Sequence, residues 1–370
     1  MSPRPVLGDL ALNRATLARQ HLLERAALAP IDAVAALVGL QAQTTHSWYL
    51  TLWSRLHELD PVAIGRLLEE RRLVRMTAMR GTIHLVTDED APLLRRFSEP
   101  AIRRLLRGTF GRRLAGVDLD ELEAIVRGVV GDDAVALEEI TDALARRWPA
   151  ADRFALSQAG RGFVPLVHAP PRGVWGRSGA VRLALLDRWI GRTVPAEIDP
   201  EPVILRYLAT YGPSTVADAQ AWSGLTGLAT AFDGLRSQLC TFTDERGREL
   251  FDIPDAPRPD PETPAPVRFL ADYDNVLLAH ADRSRFAGET AREALTYVSG
   301  PIPGMVLVDG RAAGSWFVRR EKDAATLTVT AVTRLSNEDA LDVEREANEV
   351  LAFLHPEATV RSVEVVTLGS

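Results

Sequence analysis

A recurring order of elements constrains the fold of this 370-residue chain more than any other feature. Segments with apolar residues at helical spacing precede a short alternating run, and this order occurs three times. In the first occurrence, the spacing predicts helices at Leu10–Leu23, from Pro30, at Trp48–Leu59 and at Pro61–Glu70. Alternation over Leu73–Val86, with a turn near Arg80 and Gly81, then predicts a β-hairpin.

The same order returns twice further along the chain. Paired short strands within Gly173–Leu186 follow three predicted helices, Leu119–Val130, Ala136–Trp148 and Phe154–Val167. A hairpin at Cys240–Ile253 follows three more, Pro202–Tyr211, Ser214–Trp222 and Leu225–Leu239. Helices followed by a hairpin are typical of winged-helix units, so the chain is predicted to carry three of them in tandem.

A proline-rich linker, Asp255–Pro266, separates these units from a different C-terminal region. That region is predicted to contain strands and one long helix, in the order Val267–Leu277, Met305–Val308, Gly314–Val318, Ala325–Val332, Glu338–Leu354 (the helix) and Val360–Val366. The predicted fold class is α+β and mainly helical. Its domains are three winged-helix units at 1–115, 116–195 and 196–256, and a C-terminal mixed α/β region at 257–370.

The charge distribution bears on the partner. The whole chain has a formal net charge of −7 at pH 7, which argues against nucleic acid. Residues 1–192, however, hold 27 arginines against 22 acidic residues, whereas residues 193–370 hold 16 basic residues against 28 acidic ones. A basic half reopens nucleic acid as a partner. Lys322 is the one lysine in the sequence, so mechanisms that need an amine nucleophile are disfavoured.

The usual catalytic and cofactor signatures are missing from the sequence. It has no GxGxxG, GxxxxGK[ST], GxSxG or HExxH motif, and its single cysteine, Cys240, excludes a cysteine-rich metal site. The segment Asp272–Asn275 lacks the glycine and distal glutamate of a calcium loop, and turn capping is the favoured interpretation. We expect no cofactor and no metal. Because no apolar run approaches the ~20 residues of a membrane span, we also expect no membrane partner and a cytoplasmic location.

The polar break Gln41–His46, between two apolar helical stretches, contains the strongest candidate site. Gln41 and Gln43 would point about 200° apart on a helix, but they share one face of an extended chain. The polar run favours the non-helical path, on which the two amides can converge. The ordinary alternative for such a spacing is a pair of solvated loop glutamines.

Around these glutamines the chain resembles the winged-helix DNA glycosylase family typified by AlkZ. The segments that carry the resemblance are Gly39–Gln43, Tyr49–Leu56, Arg80–Val86, Tyr211–Thr215, Asp272–Asn275, Val308–Arg311 and Gly314–Trp316, in a stretch from about residue 10 to 368. The resemblance implies tandem winged-helix motifs, C-shaped around a DNA channel. It also implies a catalytic Q-hydrophobic-Q motif at Gln41 and Gln43. A sister branch has Asp where this chain has Gln43, so the chain resembles the more specialised branch.

The resemblance implies a monofunctional glycosylase for N7-alkylguanine, including bulky azinomycin-like interstrand crosslinks, in DNA repair and antibiotic self-resistance. An N7-alkylated guanine is already positively charged and leaves as a neutral base, so no general acid is required. Two amides are enough to place a water and the sugar. Because a crosslinked base cannot swing out freely, we expect attack near the duplex, without a closed aromatic pocket for the base.

DNA contact is expected to come mainly from arginine, whose guanidinium group suits phosphate. The candidates lie at the first hairpin turn, in a run with a single acid over residues 95–113, and at a predicted wing tip: Arg80, Arg103, Arg104, Arg107, Arg112 and Arg177. Charge runs are often solvated faces, so only part of this set is expected to touch DNA. His46 is a candidate contact with phosphate or lesion, or else a solvent-bonded residue beside a helix. His84 is interpreted as a half-buried, hydrogen-bonded residue of a strand.

The expected partner is double-stranded DNA that carries alkylated guanine. Three unequal units need no symmetric dimer, so a monomer is expected. Two other function classes stay open on the sequence alone. One is a non-enzymatic winged-helix protein, either a transcription regulator or a DNA-damage binder, and the other is a protein that sequesters a genotoxin.

Overall fold

A computed structural model describes residues 4–288, 291 and 303–368 of the chain. Its α-helices are α1 (Asp9–Arg19), α2 (Pro30–Ala36), α3 (Ser47–Trp53), α4 (Pro61–Glu69), α5 (Ala91–Phe110), α6 (Leu119–Val130), α7 (Leu137–Arg147), α8 (Arg153–Phe163), α9 (Leu186–Ile190), α10 (Glu201–Tyr211), α11 (Val216–Ser223), α12 (Ala229–Leu235) and α13 (Asn337–Leu354). Short 3₁₀ turns occupy Met79–Gly81, Gly111–Leu114, Arg236–Gln238 and Asn275–Leu277.

The strands form three sheets. They are β1 (Val6–Leu7), β2 (Leu40–Gln41), β3 (Leu73–Thr77), β4 (Ile83–Thr87), β5 (Val135–Ala136), β6 (Leu166–His168), β7 (Arg182–Leu185), β8 (Cys240–Asp244), β9 (Glu249–Asp252), β10 (Arg268–Leu270), β11 (Gly304–Val308), β12 (Arg311–Glu321), β13 (Ala324–Ala331) and β14 (Val360–Thr367). The predicted mixture of helices and sheets is confirmed. The order in which sets of helices precede an antiparallel strand pair also recurs, with the pairs β3–β4, β6–β7 and β8–β9.

One predicted hairpin has the wrong first strand. The sequence pattern predicts both strands of this hairpin within Gly173–Leu186. In the structure the hairpin is formed by β6 and β7, and β6 lies before that range. Helix α8 ends at Phe163 because Pro165 disfavours a helical conformation for the preceding residue, and Val164 is extended. The apolar residues after the proline therefore form β6, where the sequence pattern continues a helix.

The first two hairpins belong to a single six-stranded sheet in the order β2-β4-β3-β6-β7-β5. The link between them is the antiparallel pairing of β3 with β6, in which Arg75 faces His168 and Met76 faces Val167. The sequence does not predict this pairing. It places the end of α8 beside the first hairpin, and therefore beside the segment that carries Gln41 and Gln43.

Two further sheets complete the fold. The β8–β9 hairpin gains a third strand from β1, which pairs in parallel with β8, and β10 to β14 form a five-stranded sheet in chain order. Helix α13 packs its buried face on the five-stranded sheet: Val343, Ala347 and Val350 share a core with Phe269 and Leu327 among others. Within the described residues, no helix is long and apolar enough to cross a membrane.

The strand predicted at Val267–Leu277 stops at Leu270 in the structure because the residues that follow are fixed by polar contacts. Asp274 accepts two hydrogen bonds from the guanidinium of Arg55, at 2.8 and 2.9 Å. Both side chains are almost completely buried, with exposed fractions of 1% and 0%. This ion pair joins the start of the C-terminal region to the residue that follows the last turn of α3.

Replacing Asp274 with Asn should destabilise the whole protein, because Arg55 would keep its charge in a buried site without a counterion. We expect a loss of about 3 kcal/mol in the free energy of unfolding, measured by urea denaturation. The matched control is Arg153→Gln, which removes the exposed ion pairs with Glu138 and Asp142 and should cost less than about 1 kcal/mol. Equal losses in the two variants would contradict this assignment.

Candidate active site

The segment Gln41–Gln43 follows an extended path, as the sequence predicts. Gln41 is paired with His84 across the β2–β4 ladder, and the Ala42 amide donates to the Ile83 carbonyl at 2.7 Å. The preceding Gly39 has a positive φ of 84°, and a Cβ there would lie 2.8 Å from Val86. Glycine therefore lets the chain turn from α2 into β2 against the hairpin.

The other edge of β2 is held by a single side chain from the C-terminal region. The Asn275 Oδ1 atom accepts a hydrogen bond from the Gln41 amide at 3.2 Å, and its Nδ2 group donates to the Gly39 carbonyl at 2.9 Å. Nearby, the Thr44 hydroxyl donates to Asp272 at 2.7 Å. Burial raises the pKa of the Asp272 carboxyl, although the Thr44 bond lowers it. The segment predicted to cap a turn therefore also clamps the candidate motif.

The Gln41 side chain is buried, and its Oε1 atom accepts a hydrogen bond from Arg80 Nη2 at 2.6 Å. The same guanidinium donates through Nη1 to the Trp222 carbonyl. Arg80 adopts a left-handed φ of 56° at the hairpin turn. Burial and then the charge of Arg283 lower its pKa to about 10, so it stays charged at neutral pH. The structure places Arg80 behind Gln41, where it is a hydrogen-bond partner of the motif.

The Gln43 side chain is exposed, and its Oε1 atom accepts a hydrogen bond from the Ile83 amide at 3.3 Å. Because both the Ile83 amide and the Arg80 guanidinium can only donate, the oxygen of each glutamine must face the hairpin. In the described part of the chain, neither glutamine Nε2 group has a hydrogen-bond partner. Two NH₂ groups therefore remain available to a substrate from adjacent positions.

A second arginine holds the middle of the motif. Arg75 Nη2 donates to the Ala42 carbonyl at 3.1 Å, and its guanidinium lies 4.6 Å from the centre of the Trp48 ring. Burial and the charge of Arg172 lower the pKa of Arg75 to about 10. No carboxylate pairs with Arg75 or Arg80 among the described residues. The sequence gives no signal for Arg75, because it alternates with apolar residues inside a strand.

The candidate His46 and the strand residue His84 are neutral groups, half-buried and fully buried respectively. His46 lies among the rings of Trp48, Tyr49 and Trp175, with Nε2 3.4 Å from the Val174 carbonyl. Burial and nearby arginines lower its pKa. His84 is fully buried, more than the sequence interpretation expects, and its Nδ1 lies 3.1 Å from the Thr82 carbonyl.

The remaining arginine candidates divide into two groups. Arg103, Arg104 and Arg177 already contact Glu99, the Gly224 carbonyl and Glu69, respectively. Arg107 and Arg112 are exposed and make no side-chain hydrogen bond or ion pair with the rest of the described chain. No group of three or more acidic, His or Cys side chains in the described ranges is placed to hold a metal ion.

Comparisons with known proteins identify the family. A family model described as DNA glycosylase AlkZ-like matches residues 34–353. The chain belongs to the AlkZ-like DNA glycosylase family. It is 26% identical over 350 residues to the "Interstrand DNA cross-link repair glycosylase" of Streptomyces sahachiroi, with 90% of this chain and 92% of the relative covered. The solved Streptomyces sahachiroi DNA glycosylase AlkZ shares the fold, with a TM-score of 0.74 at 22% identity, over 98% of this chain and 100% of that one.

The burial of His84 predicts a specific acid sensitivity. Burial and then the charge of Arg80 lower its pKa to about 3, against about 6.5 in an unfolded chain. Between these values the unfolded state binds a proton that the native state excludes, so this contribution to stability is present above pH 6.5 and is lost as the pH falls toward 3. From pH 7 to pH 5 the loss is about 2 kcal/mol.

The measurement is urea unfolding of wild type, His84→Gln and the exposed control His57→Gln at pH 7 and pH 5. His84→Gln should show a decline in unfolding free energy that is smaller than that of wild type by about 2 kcal/mol. The control should decline as wild type does. An unchanged decline in His84→Gln would mean that His84 is not the neutral buried group described above.

Proposed function

We propose that this protein is a monofunctional DNA glycosylase that hydrolyses the N-glycosidic bond of N7-alkylguanine, including bulky interstrand crosslinks. Family membership supports the reaction class, and the name of the Streptomyces sahachiroi relative supports crosslinked DNA as the substrate. The observation that carries the proposal is the fixed, extended Gln41–Gln43 segment, with both carbonyl oxygens on the hairpin and both NH₂ groups free.

The chemistry of the substrate fits a site with two neutral amides. An N7-alkylguanine carries its positive charge before the reaction, and that charge moves to the sugar as the glycosidic bond breaks. The leaving base needs no proton, so the enzyme needs no general acid. Gln41 and Gln43 then position a water and the sugar, since each amide donates two hydrogens and each oxygen keeps a second lone pair. Each placed interaction contributes about 10²- to 10³-fold in rate, by analogy with a single oxyanion-hole donor.

Arg80 acts in this scheme as a positioning residue. Its two bonded nitrogens tie the Gln41 oxygen to the Trp222 carbonyl, which lies in the third set of helices. If the Gln41 amide were flipped, its NH₂ group would face the Arg80 guanidinium, and two donors would meet without an acceptor. Arg80 therefore selects one orientation of the glutamine amide.

The small space beside the motif supports attack on a lesion near the duplex. The cavity that Gln43 lines has a volume of about 60 Å³, and no Phe, Tyr or Trp residue lines it. Water is the proposed nucleophile. Its oxygen bonds to C1′ as the C1′–N9 bond breaks, the base leaves with that electron pair as a neutral N7-alkylguanine, and the proton of the water passes to solvent. Lys322, the one lysine, is exposed in the turn between β12 and β13, which supports the absence of lyase activity.

In the proposed architecture three winged-helix units form a C around a DNA channel, and a monomer binds the duplex.

The exposed arginines supply the proposed phosphate contacts. Arg107 and Arg112 are free to bind phosphate. Arg104 and Arg177 must first break exposed contacts, which contribute little in water, whereas Arg103 must leave the buried carboxylate of Glu99. Such contacts predict that DNA affinity falls steeply with salt concentration.

The direct test is base release from an oligonucleotide with one N7-methylguanine, followed by alkaline cleavage of the abasic site. Wild type should produce strand breaks that require alkali. Gln41→Ala and Gln43→Ala should each lose about 10²- to 10³-fold in single-turnover rate while DNA affinity stays within about threefold, and Arg80→Gln should show a smaller loss of rate with the same affinity. The matched control is Gln238→Ala, an exposed glutamine of a 3₁₀ turn, which should keep full activity.

Tight binding to the lesion without base release by wild type would overturn the proposed enzyme and favour a DNA-damage binder. Strand breaks without alkali would overturn the monofunctional part of the proposal. Full activity in both glutamine variants would remove the catalytic assignment of the motif.

A further inference from the structure

The cavity beside Gln43 is lined by polar side chains that the proposed mechanism does not use. Gln158 and Arg161 reach it from α8, His168 from β6 and Thr77 from the end of β3. Leu105 and Leu106 of α5 and the turn residue Gly81 form its apolar side. The pairing of β3 with β6 creates this arrangement, because it places the second set of helices against the first hairpin.

The polar lining is rich in donors and contains no acid. Among the described residues that line the cavity there is no Asp and no Glu. Arg161 can donate from its guanidinium, and Gln158 and Thr77 from an amide and a hydroxyl. Gln43 contributes an NH₂ group as well, because its oxygen is turned toward the Ile83 amide. Such a set of groups suits an anion with several acceptor oxygens.

Arg161 differs from the buried arginines of the described structure, each of which donates at least one hydrogen bond. Arg19, Arg55 and Arg95 each pair with a carboxylate, whereas half-buried Arg161 has no hydrogen bond or ion pair with any other described residue. Burial is the single influence that shifts its pKa, and it lowers it, so no nearby carboxylate compensates the charge. A partly desolvated cation without a partner costs free energy, and an anion that enters the cavity would recover it.

The neighbouring groups do not compete for such an anion. Burial and then the charges of Arg75, Arg161 and Arg172 lower the pKa of His168 to about 3, so its imidazole is neutral at physiological pH. A neutral imidazole can donate or accept one hydrogen bond without a second charge in the cavity. Arg75 is engaged with the Ala42 carbonyl, so Arg161 is the cation that faces the space.

We infer that this cavity binds one phosphodiester group of the substrate DNA, next to the nucleotide under attack, through Arg161 and Gln158. The inference rests on the proposed function for the identity of the anion. A space of about 60 Å³ without an aromatic ring offers a purine no stacking surface, but it admits phosphate oxygens. A phosphate held beside Gln43 fixes the position of the attached sugar relative to both glutamines. The site thus determines which nucleotide of the DNA lies against the two glutamines, without requiring a flipped base.

The test combines Arg161→Gln with oligonucleotides that carry a single neutral methylphosphonate at successive positions around one N7-methylguanine. Affinity is measured by fluorescence anisotropy and base release under single-turnover conditions. In wild type, one methylphosphonate near the lesion should weaken binding about 10- to 100-fold, and Arg161→Gln should weaken binding of unmodified DNA by a similar factor. In the variant, that same methylphosphonate should have no further effect, since the two changes remove the same contact.

Two further variants keep the test decisive. Gln158→Ala should reduce the effect of the same methylphosphonate in part. The control Arg334→Gln removes an exposed arginine of the C-terminal region that has no partner among the described residues. Any loss of DNA affinity that it causes should add to the loss from every methylphosphonate. Thermal unfolding should show Arg161→Gln to be at least as stable as wild type, because the residue has no internal partner to lose. Additive effects of Arg161→Gln with every methylphosphonate would overturn the phosphate site.

The outcomes separate this inference from the proposed function. In one outcome, wild type releases no base while the loss of affinity from one methylphosphonate is still not additive with the loss from Arg161→Gln. In that case the glycosylase proposal fails and the phosphate site stands. If wild type releases base and all positions are additive, the glycosylase proposal stands and the phosphate site fails.

Discussion

The candidate site depends on the two hydrogen bonds between Asn275 and the strand β2. This strand has two residues and one neighbouring strand, so its second edge would otherwise leave the Gly39 carbonyl and the Gln41 amide without partners. The amide of Asn275 satisfies both, as another strand would. The adjacent Asp274 is locked to Arg55 in the core, which fixes Asn275 in turn. The C-terminal region is therefore a structural part of the site.

Charge around the motif is arranged in an unusual way. Arg75, Arg80 and Arg161 are buried or half-buried near Gln41–Gln43, and none has a carboxylate partner in the described structure. Their donors meet carbonyl and amide oxygens or, for Arg161, an open cavity. The positive charge beside the motif favours the DNA backbone. In the proposed reaction, bond breakage depends on the charge that the alkylated base brings, because neither glutamine is an acid.

The sequence predicts the parts of this molecule that depend on local pattern. Helical spacing and alternation locate most helices and the β3–β4 hairpin, and the polar break correctly indicates an extended Gln41–Gln43 segment. Pairings between distant segments cannot be predicted from local pattern. The Asn275 contact with Gln41 joins residues 234 positions apart, and the β3–β6 pairing that builds the cavity joins two units that look separate.

The direction in which a side chain points is also not predicted by the sequence pattern. Arg80 looks like a phosphate contact at a hairpin turn, but its left-handed backbone turns the guanidinium toward Gln41 and Trp222. Arg161 is one of the 27 arginines in residues 1–192, and only the structure shows that it lacks a partner and lines a cavity beside Gln43. The second hairpin is misplaced because an apolar run continues past Pro165, where the helix has already ended.

In the proposed reaction two amides suffice because the leaving base carries its own charge. The most direct measurement compares single-turnover base release from N7-methylguanine with release from O6-methylguanine, an uncharged adduct, in the same duplex. We expect rapid release of the charged base and no detectable release of the neutral one, at equal DNA affinity. Comparable rates for the two adducts would show that two amides are not the whole of the machinery, since release of a neutral base requires an acid that the motif does not contain.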